Sequence, residues 1–324
     1  MTPPTFADVE AAAARISGVV VRTPLLGSDA LDMAAGARVW VKAEPLQHTG
    51  SFKYRGASNR MLQLSEAERR AGVVAYSSGN HAQAVAAVAK RIGCPALIVM
   101  PADTPAIKVA STRGHGAEVV HYDRYTESRE EIAGRIAAER GAVLVPPFED
   151  PRIIAGQGTA ALEALEDMAA QGETPDVVYV CCSGGGLTAG TNLAVEAREP
   201  AAQVWSVEPA GFDDTARSLA AGERLSVSPD ARSVCDALLT PTPGELTFSI
   251  NRPRLAGAAV VTDAEALAAV AFAFAKLKLV VEPGGAVALA AALQRRPEAR
   301  GRRVLVIASG GNIDPDMFVR AITG

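Results

Sequence analysis

Aromatic residues are scarce, at 5% of the 324-residue chain, and there are only four cysteines: Cys94, Cys181, Cys182 and Cys235. No two are spaced as Cys-x-x-Cys, which excludes the common zinc and dithiol motifs. Cys181 and Cys182 stand in an apolar run, where a free thiol behaves as a small hydrophobe, so a reducing, cytoplasmic setting is expected. No cluster of lysine and arginine is large enough to offset repulsion from a phosphate backbone, and with a net charge of -4 no nucleic-acid partner is expected. The densest basic spots, Arg295-Arg296 and the run around Arg300, Arg302 and Arg303, flank an expected strand and read as a solvated loop.

An uninterrupted apolar stretch of membrane-spanning length is also absent. The most apolar long segment, 264–281, is broken by Glu265, Lys276 and Lys278, and reads as a buried, alanine-rich helix. The N-terminus has neither a basic nor an apolar leader pattern, and Thr5-Phe6-Ala7-Asp8 looks instead like a helix capping box. What the chain does have is 48% hydrophobic and 21% charged residues, the balance of an ordinary globular protein, and enough length for about two domains.

The order of patterns is regular. After a first helix and an alternating strand at 37–42 come strands at 72–76, 96–100, 118–122 and 142–145, separated by helices at 80–92, 105–113 and 127–140. A second series has a helix at 153–170, a strand at 177–182, a helix from Leu187, and a strand at 204–207. Helices follow at 214–221, 263–277 and 284–294, before a strand at 304–308. Short apolar strands alternating with helices indicate parallel pairing buried on both faces, hence an α/β fold. Between 222 and 258 the prolines at 229, 241, 243 and 253 break any period, so that region is expected to be irregular and to cover a site.

Four strand-end turns carry candidate chemistry. Thr49-Gly50-Ser51-Phe52-Lys53-Tyr54-Arg55-Gly56-Ala57 sets one lysine among small residues at an expected helix start. A lysine desolvated in a cleft can have its pKa lowered enough to condense with a carbonyl, although a lone helical lysine is usually a solvated surface charge. Ser183-Gly184-Gly185-Gly186-Leu187 joins an apolar strand to a helix, so consecutive backbone amides and the helix terminus can hold an anion such as a phosphate. The Gly-x-Gly-x-x-Gly spacing of a dinucleotide site is absent, and a plain tight turn is the alternative. Ser77-Ser78-Gly79-Asn80-His81 offers hydroxyls, an amide and free helix amides to a carboxylate, or else a helix cap. Ser309-Gly310-Gly311-Asn312 is read as a third turn of the same strand-to-helix kind.

In order and spacing these four motifs resemble those of the fold-type II pyridoxal-phosphate enzymes, specifically the serine/threonine dehydratase and serine racemase branch. The resemblance covers nearly the whole chain. It implies a two-domain, tryptophan synthase β-like α/β fold with parallel-rich twisted sheets flanked by helices and the cofactor in the interdomain cleft. Residues 1–50 and 149–324 would form the large cofactor-binding domain and 51–148 the small substrate-side domain. Lys53 would carry pyridoxal 5'-phosphate, with Phe52 beside it, Asn80 on the 3-hydroxyl, Gly184, Gly185, Gly186 and Leu187 on the phosphate, and Ser309 at the ring nitrogen. A neutral hydroxyl there tempers the ring's electron-sink character, which suits elimination over transamination. Ser77, Ser78, Gly79, Asn80 and His81 would surround the substrate. Two departures bear on substrate preference: Ser183 replaces the first of four glycines in the family's loop, and His48 stands where lysine is frequent.

The activity implied is dehydration of a 3-hydroxy amino acid such as L-threonine or L-serine to a 2-keto acid and ammonia, with Lys53 as the base. The alternatives are a serine or aspartate-like racemase with dehydratase side activity, for which Ser78 would be the acid on the opposite face, and a 3-hydroxyaspartate dehydratase. Gly244-Glu245-Leu246-Thr247-Phe248 is the candidate for substrate side-chain contact. The resemblance also implies a homodimer without a membrane partner, and no appended regulatory domain or feedback by isoleucine is expected. Glu208-Pro209-Ala210-Gly211-Phe212-Asp213-Asp214 reads, from its residues, as a helix cap or a cation site. The resemblance favours a structural divalent cation (magnesium, calcium or manganese) on Glu208, Asp214 and the backbone oxygen of Phe212.

Overall fold

The computed structural model describes residues 1–77, 79–104, 106–123 and 126–324; Ser78 therefore lies outside the described residues. Within them run strands β1 (Leu25–Leu26), β2 (Arg38–Ala43), β3 (Val73–Tyr76), β4 (Ala96–Pro101), β5 (Glu118–Tyr122), β6 (Val143–Leu144), β7 (Val177–Cys181), β8 (Gln203–Pro209), β9 (Gly257–Val261) and β10 (Arg303–Ala308). They form two sheets, one of order β1-β2-β10-β7-β8-β9 and one of order β5-β4-β3-β6. In the larger sheet β1 runs antiparallel to β2 and the other pairs are parallel; the smaller sheet is parallel throughout. Strands such as Val177–Cys181 are buried at every residue, because crossover helices cover both faces of a parallel sheet.

The helices Asn80–Ile92 and Asp214–Ala221 and the strand Glu118–Tyr122 have the bounds expected from sequence, and the capping box forms, with the Asp8 carboxylate accepting from the Thr5 amide and hydroxyl. Two expectations need correction. The segment 264–281 is not one buried helix: its α-helix stops at Phe272, a widened π turn spans Ala273–Leu277, and Lys278 ends it at φ 57, leaving Phe274 and Val280 exposed. The region 222–258 is not irregular throughout, since it contains the helix Glu245–Asn251 and the first residues of edge strand β9. Both are short elements whose pattern is set by what they pack against rather than by local periodicity.

The helix Lys53–Met61 is the joint between the two sheets. Tyr54, Ala57 and Met61 belong to the core under the small sheet, while the helix Pro151–Ala169 lies directly across it; a Cβ on Gly156 would stand 2.7 Å from the Arg55 carbonyl oxygen. The face away from the small sheet is locked by Arg55. Its fully buried guanidinium donates to Glu44 at 2.8 and 2.9 Å and to Glu163 at 2.7 Å through each terminal nitrogen, and buried Lys42 adds a 2.8 Å bond to Glu163. Buried charges persist when paired and hydrogen-bonded like this.

Candidate active site

Lys53 is the first residue of its helix, and its approach is constrained: Thr49 sits at φ 58, a conformation a β-branched residue keeps only when its surroundings hold it. The Thr49 carbonyl accepts from Asn312 Nδ2 at 2.8 Å. Lys53 Nζ donates to the Pro147 carbonyl at 2.9 Å and lies 5.0 Å from the centre of the Phe52 ring. Burial lowers its pKa to about 8, against a smaller opposing effect of Cys181. The accessible part of its side chain faces a cavity of about 210 Å³ rather than bulk water.

That cavity gathers the strand-end turns. Ser77, Gly79, Asn80 and His81 line one side, Gly184, Gly185, Gly186 and Leu187 another, and Ser309 and Phe52 the floor near Lys53. The helix Asn80–Ile92 has Gly79 at its N-cap with no side-chain cap bond, and the Asn80 side chain is bonded to Glu282 and Asn312 instead, so Asn80 is not a cap; Ser78, the other capping candidate, lies outside the described residues. Ser309-Gly310-Gly311-Asn312 departs from expectation, because no helix follows it directly. Gly310 instead bridges back to Ser51, and Asn312 Nδ2 donates to Asn80 Oδ1 at 2.7 Å, tying the floor to the lysine and asparagine turns.

The glycine loop is held by its carbonyls. Thr247 Oγ1 and the Gly244 amide donate to the Gly184 oxygen, and Asn251 Nδ2 donates to the Gly185 oxygen at 3.1 Å. The amides of Gly184 to Leu187 have no carbonyl partner among the described residues, which leaves them for an anion in the cavity. A Cβ on Gly184 would fall 2.2 Å from the Phe148 ring, and one on Gly186 would fall 2.9 Å from Phe148 Cβ, so a larger residue at either position would have to displace Phe148. Gly244 to Phe248 thus brace this loop from behind, and the expectation that they contact substrate is not met: the part of 222–258 that lines the cavity is 236–240.

His81 Nε2 lies 2.9 Å from the Val145 carbonyl, which can only accept, so Nε2 carries the proton. Burial, and next the charge of Lys53, lower the His81 pKa to about 3, so the ring is neutral and offers an Nδ1 lone pair that has no partner among the described residues. Donors for a carboxylate must come from elsewhere, such as Ser77 and the helix terminus. Sequence reasoning missed Glu282, Lys108, Arg129 and Asp236, all of which line the cavity. The run Glu282-Pro283-Gly284-Gly285 at a helix start was a readable signal for the first; Lys108 and Asp236 are single charges among apolar neighbours and Arg129 stands in a charged run, and none of the three belongs to a motif.

A pyridoxal-phosphate dependent enzyme model matches residues 16–310. The chain belongs to that family. This pyridoxal-phosphate enzyme is similar to the L-threo-3-hydroxyaspartate ammonia-lyase of Saccharomyces cerevisiae, at 41% identity covering 100% of this chain and 98% of that one. It is also similar to the serine racemase of Schizosaccharomyces pombe, at 39% identity covering 99% and 98%. The structure of maize serine racemase superposes with a TM-score of 0.92 at 37% identity, covering 99% of this chain and 97% of that one. The fold is the tryptophan synthase β-like fold of the fold-type II enzymes. The cavity fits the cofactor: the glycine cradle leaves amides for a phosphate, and the amine with lowered pKa stands across from it.

Proposed function

We propose that this enzyme is an ammonia-lyase that eliminates water from a 3-hydroxy amino acid and yields a 2-keto acid and ammonia. The observation that carries this reading is the single cavity in which Lys53, the glycine loop, the asparagine turn and Ser309 meet. When bound, the cofactor supplies a carbonyl for condensation and a ring that stabilises negative charge at the substrate α-carbon. Lys53 would hold it covalently, Gly184 to Leu187 its phosphate, Asn80 its 3-hydroxyl and Ser309 its ring nitrogen. Once the substrate amine has taken its place, the Lys53 amine removes the α-proton; a pKa near 8 keeps part of it neutral at physiological pH. Ser77 and the amides at the start of Asn80–Ile92 bind the α-carboxylate, and Phe148, packed on the loop, helps to exclude water.

Among 3-hydroxy amino acids, one with a second carboxylate is the preferred reading, because the similar L-threo-3-hydroxyaspartate ammonia-lyases act on such a substrate and two cationic side chains reach the cavity wall. Lys108 lies there, paired with Asp236, and so does Arg129, which pairs with Glu130 and whose guanidinium stands 5.4 Å from the centre of the Tyr76 ring; a second substrate carboxylate would compete with these partners. A keto-acid assay over serine, threonine and 3-hydroxyaspartate in both configurations tests this, with turnover greatest on 3-hydroxyaspartate expected. Faster turnover of threonine or serine would reject the dicarboxylic preference, and no keto acid from any of them would reject the lyase. The similarity to serine racemases keeps a racemase reading in view, for which Ser78 is the candidate acid; loss of racemisation with retained elimination in Ser78→Ala would support it.

A divalent cation at Glu208, Asp214 and the Phe212 carbonyl belongs to the same proposal. Glu208 is buried and accepts from the Thr215 and Ala216 amides at 3.0 and 2.8 Å, while both oxygens of buried Asp214 have no hydrogen-bond partner among the described residues. Burial first, and then the nearby Asp214, raise the Glu208 pKa, and burial raises that of Asp214. A bound cation would offset both penalties; among the described residues no group of three carboxylates, histidines or cysteines gathers to hold a metal, so it would rest on these two carboxylates and the Phe212 carbonyl.

A further inference from the structure

Glu282 is 2% exposed, yet it borders the cavity at the N-cap of the helix Pro283–Leu293. Its Oε1 accepts from Asn80 Nδ2 at 2.6 Å, and on the other side of that amide Asn312 Nδ2 donates to Asn80 Oδ1 at 2.7 Å. Asn312 Nδ2 also donates to the Thr49 carbonyl, so an Asn312 flip would set an oxygen against that carbonyl oxygen. Flipping Asn80 instead would set donor against donor at Asn312 and oxygen against oxygen at Glu282. The amide is therefore fixed in one orientation by two partners from distant parts of the chain.

We propose that Glu282 is a positioning residue, which together with Asn312 clamps the Asn80 side chain toward the cofactor, and that ionisation of Glu282 tunes the strength of this clamp. The inference rests on the placement of Asn80 against the cofactor proposed above, and not on which hydroxy amino acid is the substrate. A carboxylate accepts more strongly than a neutral carboxyl, so the ionised form holds Asn80 tightest. The surroundings make this titration accessible near neutral pH. Burial, and next the charge of Asp236, push the Glu282 carboxyl up to about 8, while the Asn80 bond and Lys108 pull the other way. Asp236 and Lys108 face it from the turn Asp236–Leu238 and from across the cavity, and pair with each other at 2.5 Å; Cys181 and Cys235 are the other titratable groups nearby, and both thiols are pushed up by burial and stay neutral.

The test titrates cofactor affinity and the absorption spectrum of the bound cofactor from pH 6.5 to 9.5 in wild type, Glu282→Gln, Asp236→Asn and Lys108→Met. Glutamine keeps an oxygen acceptor in the same place but cannot ionise, so Glu282→Gln should fold normally and lose the spectral transition, with affinity at pH 7 within about threefold of wild type. Asp236→Asn should move the wild-type transition to lower pH, and Lys108→Met should move it to higher pH. In a double-mutant cycle, Glu282→Ala and Asn80→Ala should each weaken cofactor binding about tenfold, and the pair little more than either alone. A Glu282→Gln protein with an unchanged pH transition, or additive losses in the cycle, would overturn the proposal. Neither outcome depends on substrate turnover, so failure of the lyase reading would register separately in the keto-acid assay.

Discussion

Lys53 can be tested apart from its neighbours. Lys53→Ala removes both the covalent link to the cofactor and the base, so the purified variant should lack the yellow absorbance of a lysine-bound cofactor and lose at least about 10³-fold in turnover. Full activity in that variant would end the reading of this cavity as the active site. The lowered Lys53 pKa also has a sign. Folding disfavours the charged amine, so apoprotein capture of the cofactor should speed up as pH rises through about 8 and level off above it, well below the ordinary lysine value of 10.5. Stopped-flow absorbance at constant ionic strength checks this, and Glu282→Gln should show the same dependence. On the other side of the same helix, Arg55→Met leaves buried Glu44 and partly buried Glu163 without their common donor. Removing one partner of a buried pair costs about 3–5 kcal/mol, which a denaturant titration would show as a large drop in midpoint. An unchanged midpoint would mean that Lys42 and water suffice to hold the carboxylates.

The elements that could be read from sequence are those whose pattern arises within the segment. Helix Asn80–Ile92 and strand Glu118–Tyr122 show their own period, and the Ser183-Gly184-Gly185-Gly186 turn reads by composition as an anion cradle or a plain tight turn. The motif residues of the site other than Ser78, which lies outside the described residues, converge on one cavity as the order of strand ends implied. What was illegible depends on contacts across the chain. Nothing local to Gly244 to Phe248 says that Thr247 reaches the Gly184 carbonyl, and nothing local to Glu282 says that it meets Asn80, 202 positions away. Edge strand β9 escaped notice because its short run is half-buried and is defined by pairing to β8. The bracing role of Thr247 gives a prediction at this scale. Thr247→Val removes the donor to Gly184 while nearly keeping volume, so cofactor affinity should fall about tenfold with secondary structure unchanged. Equal affinity in a fluorescence titration would show that the loop holds its shape through Asn251 and the Gly244 amide alone.

For the molecule as a whole, the cation proposal links residues that do not line the Lys53 cavity to stability and activity together. Glu208 is the penultimate residue of strand β8, which pairs with β7, and β7 leads straight into the glycine loop. A cation held by Glu208, Asp214 and the Phe212 carbonyl would therefore fix the larger sheet beside the loop without touching substrate. A ligand that binds only the folded state stabilises by mass action, about 2.7 kcal/mol at a concentration one hundred times its Kd. For a chain of this length that corresponds to roughly 4 °C in Tm. Chelation should lower Tm by about that amount and reduce turnover in parallel, and added magnesium or calcium should restore both. Asp214→Ala should start at the lower Tm and gain nothing from added metal. The carboxylates also provide an internal control, because in the metal-free protein their raised pKa values make folding favour the protonated forms, so acidification toward the ordinary carboxylate range should narrow the gap between metal-free and metal-loaded protein. If a chelator leaves Tm and turnover unchanged in protein verified to be metal-free, Glu208 serves only to cap the helix Asp214–Ala221 through its bonds to Thr215 and Ala216.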